Sequence, residues 1–251
     1  MFNFSKKNIV ITGGGTGIGF EIALSFFKAK ANVMIAGRRE KVLREAVDKI
    51  KKMAPNHNGN LFYFECDMSK EKEVKNLFST ARDKFSDINI LINNCSSWTL
   101  EPINDLEINN VKDHINNVYL STIISTKHGS LNLSEGGSII NISSFSSIIP
   151  MKDGSIYSSL KSGINNFTKS SASELANKNI RVNSIIPGVI KTPMTSKYID
   201  KNYKQIVSKI SLGRVGTCNE VASVALFLCS DFASYVNGAS IEVTGGKFLT
   251  Q

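Results

Sequence analysis

The sequence predicts an α/β fold: a doubly wound parallel sheet of about seven strands with helices on both faces. Three features lead to it. Short apolar, β-branched runs alternate with longer amphipathic segments from one end of the chain to the other, and that alternation builds βαβ units joined by right-handed crossovers. No internal repeat, low-complexity tract or long linker breaks the rhythm. A chain of 251 residues suits one large domain better than two, and it can bury a substantial core without disulfide or metal staples. Residues 1–251 are therefore expected to form a single domain.

Taken in order, Asn8–Thr12 reads as the first strand, an apolar run entered directly from Ser5-Lys6-Lys7, and Ile18–Lys30 as the first helix. Asn32–Ala36 is the second strand. Glu40–Met53 is a charged amphipathic helix, stopped by Pro55 and the Asn56–Asn60 turn cluster. Leu61–Cys66 is the third strand, followed by a helix near Lys70–Phe85, and Asn89–Asn93 is the fourth, followed by one long helix over roughly Asn109–Leu133. Ser138–Ile142, Ile180–Ile186 and Ser240–Val243 complete the strands, with helices over Ser155–Lys178 and Asn219–Ser230 between them. The segment Val189–Gly213 departs from this rhythm, with Pro193, several lysines and few apolar anchors. A long irregular or weakly helical insertion in a compact domain reads as a lid or binding loop.

The loop between the first strand and the first helix is Thr12-Gly13-Gly14-Gly15-Thr16-Gly17-Ile18-Gly19. In that position a glycine loop can cradle a pyrophosphate. Gly13 permits a sharp turn, Gly17 a close approach of backbone to anion, and Gly19 close packing of helix on sheet. The helix N-terminus adds free N–H groups and the positive end of its dipole, with Gly15, Thr16 and Ile18 completing the candidate phosphate contacts. Alone, such a loop is a weak signal, because any tight turn favours glycine. A second feature strengthens it. Folds that bind NAD carry an acidic residue about 20 positions beyond the loop for the ribose 2′-hydroxyl. Here Gly37 holds that place, 18 positions after Gly19, and Arg38 and Arg39 follow. A guanidinium there can grip a 2′-phosphate through its forked donors, so NADP(H) is expected over NAD(H). The plainer alternative is a solvated arginine pair opening a helix, where the dipole opposes it.

These features resemble the short-chain dehydrogenase/reductase family, and the likeness runs from Thr12 to about Phe248. Thr12–Gly19 is similar to the family's T-G-x-x-x-G-x-G loop. Asp67, followed by Met68, resembles the aspartate beside the adenine. Asn93-Asn94-Cys95-Ser96 resembles the N-N-A-G stretch that steadies the sheet and lines the cofactor site, with Cys95 and Ser96 replacing the small pair. Both replacements are small, so the backbone is expected to keep its course, with Ser96 altering the packing near the cofactor. Asn117, 24 residues after Asn93, matches the active-site helix asparagine. Ser144 matches the catalytic serine, and Tyr157 and Lys161, beginning 13 residues later, the Y-x-x-x-K motif. Pro187-Gly188, continuing into Val189 and Ile190, resembles the turn after the sixth strand, and Thr192 the threonine that meets the nicotinamide carboxamide. The run Gly213-Arg214-Val215-Gly216, then Leu226–Ser230, Asn237-Gly238 and Gly245-Gly246, is similar to the family's tail, which packs between subunits. The resemblance implies a Rossmann-like fold, NADP(H) held by these residues, and Ser144, Tyr157, Lys161 and Asn117 as the catalytic group. It also implies a carbonyl substrate, with the 3-oxoacyl thioester of 3-oxoacyl-[acyl-carrier-protein] reductases leading, and assembly as a homotetramer or a dimer.

Tyr157 and Lys161 stand four apart on a predicted helix and so share a face. A free tyrosine titrates at about 10, and an adjacent ammonium is expected to lower that value toward working pH. Lys161 could also hold the nicotinamide ribose. Ser144, at the end of the fifth strand, could donate to a carbonyl oxygen as charge develops there, and Asn117 could hold a water linking Lys161 to solvent. The expected chemistry is hydride delivery from NADPH to a carbonyl carbon, with Tyr157 as proton donor. A lone Tyr and Lys at this spacing read equally well as a buried ring with a snorkelling lysine; the ordered company of the other motifs decides between the two.

Net charge is +9, from 30 basic and 21 acidic residues spread along the chain. That distribution reads as a solvated surface rather than a nucleic-acid tail, and it attracts anionic ligands such as NADPH, acyl-CoA or an acidic carrier protein. Cys66, Cys95, Cys218 and Cys229 form no C-x-x-C pair, and His57, His114 and His128 no H-E-x-x-H, so no metal is expected. Free thiols, the lack of a signal-peptide core, and no apolar stretch of about 18 residues together point to a cytoplasmic protein that does not span a membrane. Trp98, Met151, Met194, Tyr198 and Tyr203 are candidate pocket walls, though they read equally well as ordinary packing. Two rival functions stand beside the reductase. One is an NADP-linked alcohol, sugar or steroid-like dehydrogenase running toward oxidation. The other is a non-catalytic dinucleotide-binding regulator, against which the joint presence of Ser144, Tyr157, Lys161 and Asn117 speaks.

Overall fold

The computed structural model describes residues 2–55, 57 and 59–247; Asn56 and Asn58 of the turn cluster, and Phe248 at the end of the family likeness, lie outside them. The apolar runs form strands β1 (Asn8–Thr12), β2 (Asn32–Gly37), β3 (Leu61–Glu65), β4 (Ile88–Asn93), β5 (Leu133–Ile142), β6 (Arg181–Pro187) and β7 (Ser240–Val243). All pair in parallel, in the order β3-β2-β1-β4-β5-β6-β7. Side chains alternate across a strand, so Ile9, Ile11, Val33 and Ile35 enter the core on one face while Val10 and Met34 enter it on the other. Every residue of β1 is buried, and burial on both faces is why the run reads as continuously apolar.

The helices are α1 (Gly17–Lys28), α2 (Glu40–Met53), α3 (Glu71–Phe85), α4 (Ile108–His114), α5 (Ser121–Asn132), α6 (Ser155–Glu174), α7 (Ser196–Val207) and α8 (Cys218–Cys229). Ile22 and Phe26 of α1, Leu43 and Ile50 of α2, and Val221 and Leu228 of α8 cover one face. Val74, Leu77 and Phe78 of α3, Ile124 of α5 and Ala172 of α6 cover the other. The strand order turns back at β1, which has β2 on one side and β4 on the other. The loops leaving β1 and β4 therefore part at the carboxyl edge of the sheet and open a crevice between them.

Three elements differ from expectation. The long helix is not uninterrupted: a π-helical turn, Ile115–Leu120, separates α4 from α5. There the Ser121 hydroxyl donates to the Asn117 carbonyl (2.9 Å) and the Thr122 hydroxyl to the Val118 carbonyl (3.0 Å). Such bonds compete for helix carbonyls and distort the turn, and apolar periodicity does not reveal them. β5 starts at Leu133 rather than Ser138, across an irregular register with β4. The insertion after β6 is more ordered than its lysines imply. Residues 196–207 form a helix kinked at Asn202, and Ile199, Ile206 and Ile210 make a small core with Val189 and Val215. Its base is pinned where the Lys191 N–H donates to the Gly216 carbonyl (3.0 Å) and the Gly216 N–H to the Val189 carbonyl (2.9 Å).

A buried polar ladder ties the layers beneath the crevice. The Asn93 amide donates to Thr126 Oγ1 and to Asn141 Oδ1, each at 2.9 Å, and the Asn141 amide donates to Thr168 Oγ1 at 2.9 Å. This links β4, β5, α5 and α6 at a place where Asn141 is fully buried. Asn141→Ala leaves one N–H of the Asn93 amide unpaired in the core and opens a small cavity, while the Thr168 hydroxyl keeps its bond to the Ile164 carbonyl, and should cost about 2–3 kcal/mol. Urea unfolding checks this, and an unchanged midpoint would remove the ladder from the stability of the fold.

Candidate active site

The crevice is built first by its loops. Gly13 adopts a left-handed φ of 64°, and a Cβ on Gly19 would lie 2.3 Å from the Gly13 carbonyl oxygen. The loop thus folds tightly over the start of α1, which only glycine allows at these two positions. Thr16 occupies the N-cap position without capping through its side chain, leaving first-turn N–H groups for an anion. The loop after β4 is stitched to the glycine loop from behind. Asn94 Nδ2 donates to the Gly13 carbonyl (3.1 Å), while the Asn94 and Cys95 N–H groups donate to Thr12 Oγ1 (3.0 and 3.1 Å).

Every candidate cofactor residue except Gly19 lines a single crevice of about 480 Å³, together with Ser144, Tyr157, Lys161 and Asn117. Gly19 lies behind the loop, where it permits the turn. Arg38 and Arg39 are exposed at one end, and Arg38 Nη1 donates to Asn117 Oδ1 at 3.4 Å. Burial alone would raise the Asp67 carboxyl, but hydrogen bonds from the Ser69 hydroxyl and N–H, with Arg38 and Lys70 nearby, outweigh it and hold Asp67 below its ordinary value. Val42 and Leu43, at the opening of α2, also line this end; their place directly after the arginine pair was the available sequence signal for them.

At the other end Ser144 sits just beyond β5, nearly buried, its Oγ accepting from the Ser146 N–H (3.2 Å). One turn of α6 separates Tyr157 from Lys161. Lys161 is 2% exposed and its Nζ donates to the Ile142 carbonyl (2.8 Å). Burial pushes this amine down to about 7. The Tyr157 phenol is pushed up by burial, against an opposing pull from hydrogen bonding to the hydroxyls of Ser144 and Ser96. The sequence-based expectation was the reverse, a phenol lowered by its lysine. The ammonium lies 5.7 Å from the Tyr157 ring centroid and is bonded to Ile142, and desolvation acts on both groups. Asn117 lies on the π-helical turn, where its amide donates to the Asp113 carbonyl (2.8 Å). Thr192 is locked with Thr195 by reciprocal bonds of 3.0 and 3.2 Å between each N–H and the other's hydroxyl. Trp98, Met151, Met194 and Tyr198 line the crevice, whereas Tyr203 does not and is exposed. Sequence reasoning assigned Ser96 to packing alone, whereas it lines the same crevice as Tyr157.

A family model described as Enoyl-(Acyl carrier protein) reductase matches residues 13–247. A short-chain type dehydrogenase/reductase from Mycobacterium ulcerans superimposes with a TM-score of 0.96 at 27% identity, over 100% of this chain and 92% of that one. The chain belongs to the short-chain dehydrogenase/reductase family. Among relatives, it is 33% identical to a tropinone reductase homologue from Arabidopsis thaliana over 249 residues, covering 98% of this chain and 92% of the relative. It is 32% identical to a 3alpha-hydroxysteroid dehydrogenase from Mediterraneibacter gnavus over 257 residues, covering 98% of both. As a short-chain dehydrogenase/reductase it is an oxidoreductase of CH–OH and C=O groups that binds a nicotinamide cofactor. Among the described residues, no helix is long and apolar enough to cross a membrane, and no group of three or more His, Cys, Asp or Glu could hold a metal ion.

The buried lysine gives this short-chain dehydrogenase/reductase a pH signature. With a folded value near 7 against about 10.4 unfolded, Lys161 binds a proton more readily in the unfolded chain, so its burial imposes a penalty on folding that shrinks as pH rises above 7. Unliganded protein should be harder to unfold in urea at pH 8.5 than at pH 7, and Lys161→Met should flatten the difference. From the top of that range upward the raised thiols, Cys66 and Cys229 at about 12 and Cys95 and Cys218 at about 11, act in the opposite sense as their unfolded counterparts ionise near about 8.5, and they do so in both proteins. An equal slope in both proteins would remove Lys161 as the source.

Proposed function

We propose that this protein uses NADPH to reduce a ketone, with Tyr157 as proton donor. The observation that carries the reading is the meeting, in one crevice, of Ser144, Tyr157 and Lys161 at one end with the glycine loop, Arg38 and Arg39 at the other. The residues present fit the cofactor. The tight glycine loop and the uncapped start of α1 suit a pyrophosphate, the arginine pair suits a 2′-phosphate, and Asp67 and Met68 suit the adenosine. Lys161 would hold the nicotinamide ribose, and Thr192, with the 187–190 turn, the carboxamide. When bound, the nicotinamide supplies hydride to the carbonyl carbon.

The protein's own part is proton and field. A phenol raised by burial stays protonated at neutral pH, as a donor in the reducing direction must. Tyr157 gives its proton to the carbonyl oxygen while the Ser144 hydroxyl donates to that same oxygen as charge gathers on it. Asn117 holds a water that reconnects Lys161 to solvent. The 189–213 segment acts as the lid, and the enzyme works as a cytoplasmic homotetramer. Initial rates with NADPH and NADH over a panel of ketones test the reading, and no consumption of either cofactor with any member would overturn it.

The substrate has two readings. A 3-oxoacyl thioester is suited by exposed Lys191 and Lys197, which adjoin the lining residues Ile190, Thr192 and Tyr198 in the chain and would meet the phosphates of a carrier arm. A compact ring ketone is favoured by one contact: Trp98, on the loop after β4, meets Tyr198 of α7 edge to face at 5.5 Å, narrowing the substrate end between Met151 and Met194. The names of the tropinone reductase homologue and the 3alpha-hydroxysteroid dehydrogenase point the same way. Trp98→Ala should raise KM for the better ring ketone about tenfold with little change in kcat, the value of an apolar wall in a pocket. A thioester preferred over every ring ketone would decide for the first reading.

A further inference from the structure

We propose that His114 is a positioning residue for Trp98. Its imidazole clamps the hydroxyls on either side of residue 98, holds the indole against Tyr198 and, on the reading of the crevice as a ketone site, sets the preference of its substrate end for a compact ring.

Residues 94–100 belong to no helix or strand, so the course of this loop is set by tertiary bonds. It leaves β4 with the Cys95 N–H donating to Thr12 Oγ1 (3.1 Å) and ends with the Glu101 N–H donating to the Asp153 carbonyl (2.5 Å). Trp98 stands midway between these ties, and both of its neighbours are fixed by one ring. The Ser97 hydroxyl meets His114 Nδ1 (3.2 Å), and the Thr99 hydroxyl meets Nε2 of the same imidazole. Residues 97 and 99 thus turn toward α4 while residue 98 turns to α7, the alternation of an extended chain. There Trp98 meets Tyr198 edge to face, the ring planes 76° apart, and both rings line the crevice.

His114 is suited to this task. It ends α4 and is only 9% exposed, in a small cleft walled by Thr99, Val111 and Ile156. An imidazole buried in this way needs partners for both nitrogens. In the neutral ring one nitrogen donates and the other accepts, and a hydroxyl can do either. The ring is therefore satisfied only while it holds Ser97 and Thr99 together, which fixes the indole between them. A wall set in place in advance need not be ordered when substrate enters, so the clamp acts on binding rather than on the chemical step.

Trp98 is the single tryptophan of the chain, and its fluorescence reports the clamp without any substrate. In His114→Leu, acrylamide quenching of the indole should rise and its near-ultraviolet circular dichroism weaken, with the far-ultraviolet spectrum unchanged. Ser97→Ala/Thr99→Val removes the two hydroxyls, leaves α4 intact and should do the same. His114→Gln, whose amide both donates and accepts, should restore wild-type quenching. For the better ring ketone, His114→Leu should raise KM about 2–10-fold, the cost of ordering one large side chain at binding, with kcat within about twofold. His114→Leu/Trp98→Ala should then be no worse than Trp98→Ala alone. Unchanged quenching and KM in His114→Leu overturn the proposal. So does full additivity with Trp98→Ala, or a change that the hydroxyl variant does not share. Should His114→Leu fail to fold, the hydroxyl variant alone decides. The two ideas fail separately: if quenching responds but the wild type reduces no ketone, the ketone-site reading falls and the clamp stands, whereas a KM that depends on Trp98 but not on His114 sinks the clamp alone.

Discussion

Tyr157→Phe should lower ketone reduction by about 10²–10⁴-fold, the span covered by a positioned general acid, while NADPH still binds. The change removes one oxygen and keeps the ring, so the half-buried packing of α6 against its neighbours survives and stability should hardly move. What disappears is the phenolic proton in the crevice that Tyr157 shares with Ser144. The neighbouring hydroxyls cannot replace it, since a serine hydroxyl is a far weaker acid than a phenol. Lys161 is turned to the Ile142 carbonyl and is no substitute donor. Cofactor fluorescence would report binding, and stopped-flow oxidation of NADPH would report chemistry. Wild-type turnover in the variant would sink the proposed acid, and loss of NADPH binding together with turnover would assign the ring to the cofactor instead. Under the same conditions, raised pH should slow the wild-type reduction only as the phenol itself ionises, above its ordinary value near 10, because burial has moved it upward.

How much of this could be read in the sequence differs element by element. The strands were legible because burial on both faces leaves apolar residues at every position, as in Ile9-Val10-Ile11. The glycine loop was legible because a left-handed Gly13 and a Gly19 packed on the Gly13 carbonyl admit no other residue. That Ser144, Tyr157 and Lys161 line one crevice was legible from helical spacing, from the place of Ser144 at the end of the fifth strand, and from the family resemblance. The π-helical turn around Asn117 was not legible, since it is set by hydroxyls bonding back to carbonyls and leaves no mark on the apolar pattern. Nor were the protonation states of Tyr157 and Lys161. Sequence spacing puts the ammonium beside the phenol, but the direction of each shift is decided by desolvation, which comes from segments far away in the chain. The Ser97–His114–Thr99 cluster was hidden for the same reason, a contact between the loop after β4 and the end of α4.

Arg38→Ala should weaken NADPH by about 10–100-fold and change NADH by no more than about threefold. The estimate takes one or two charge-assisted hydrogen bonds to a 2′-phosphate at about 1.5–3 kcal/mol in all. The discrimination is expected to reside here because Gly37 offers no carboxylate to a ribose 2′-hydroxyl, leaving NADH without a partner of its own at that position. The side chain is exposed and its one bond is a 3.4 Å contact with Asn117 Oδ1 on the far side of the crevice, so it is free to turn to an anion at little cost. Removing it also takes away one of the cations that hold Asp67 low, but the Ser69 hydrogen bonds remain and the adenosine end stays anionic. Arg39 is the natural partner, and Arg38→Ala/Arg39→Ala should bring the two cofactors close to equal affinity. Salt provides an independent check. An exposed guanidinium–phosphate pair is screened, so NADPH affinity should fall between 50 mM and 500 mM salt in the wild type and change less in Arg38→Ala, with NADH less affected in both. If Arg38→Ala weakened NADPH and NADH alike, the arginine would be supporting the crevice rather than reading the 2′-phosphate.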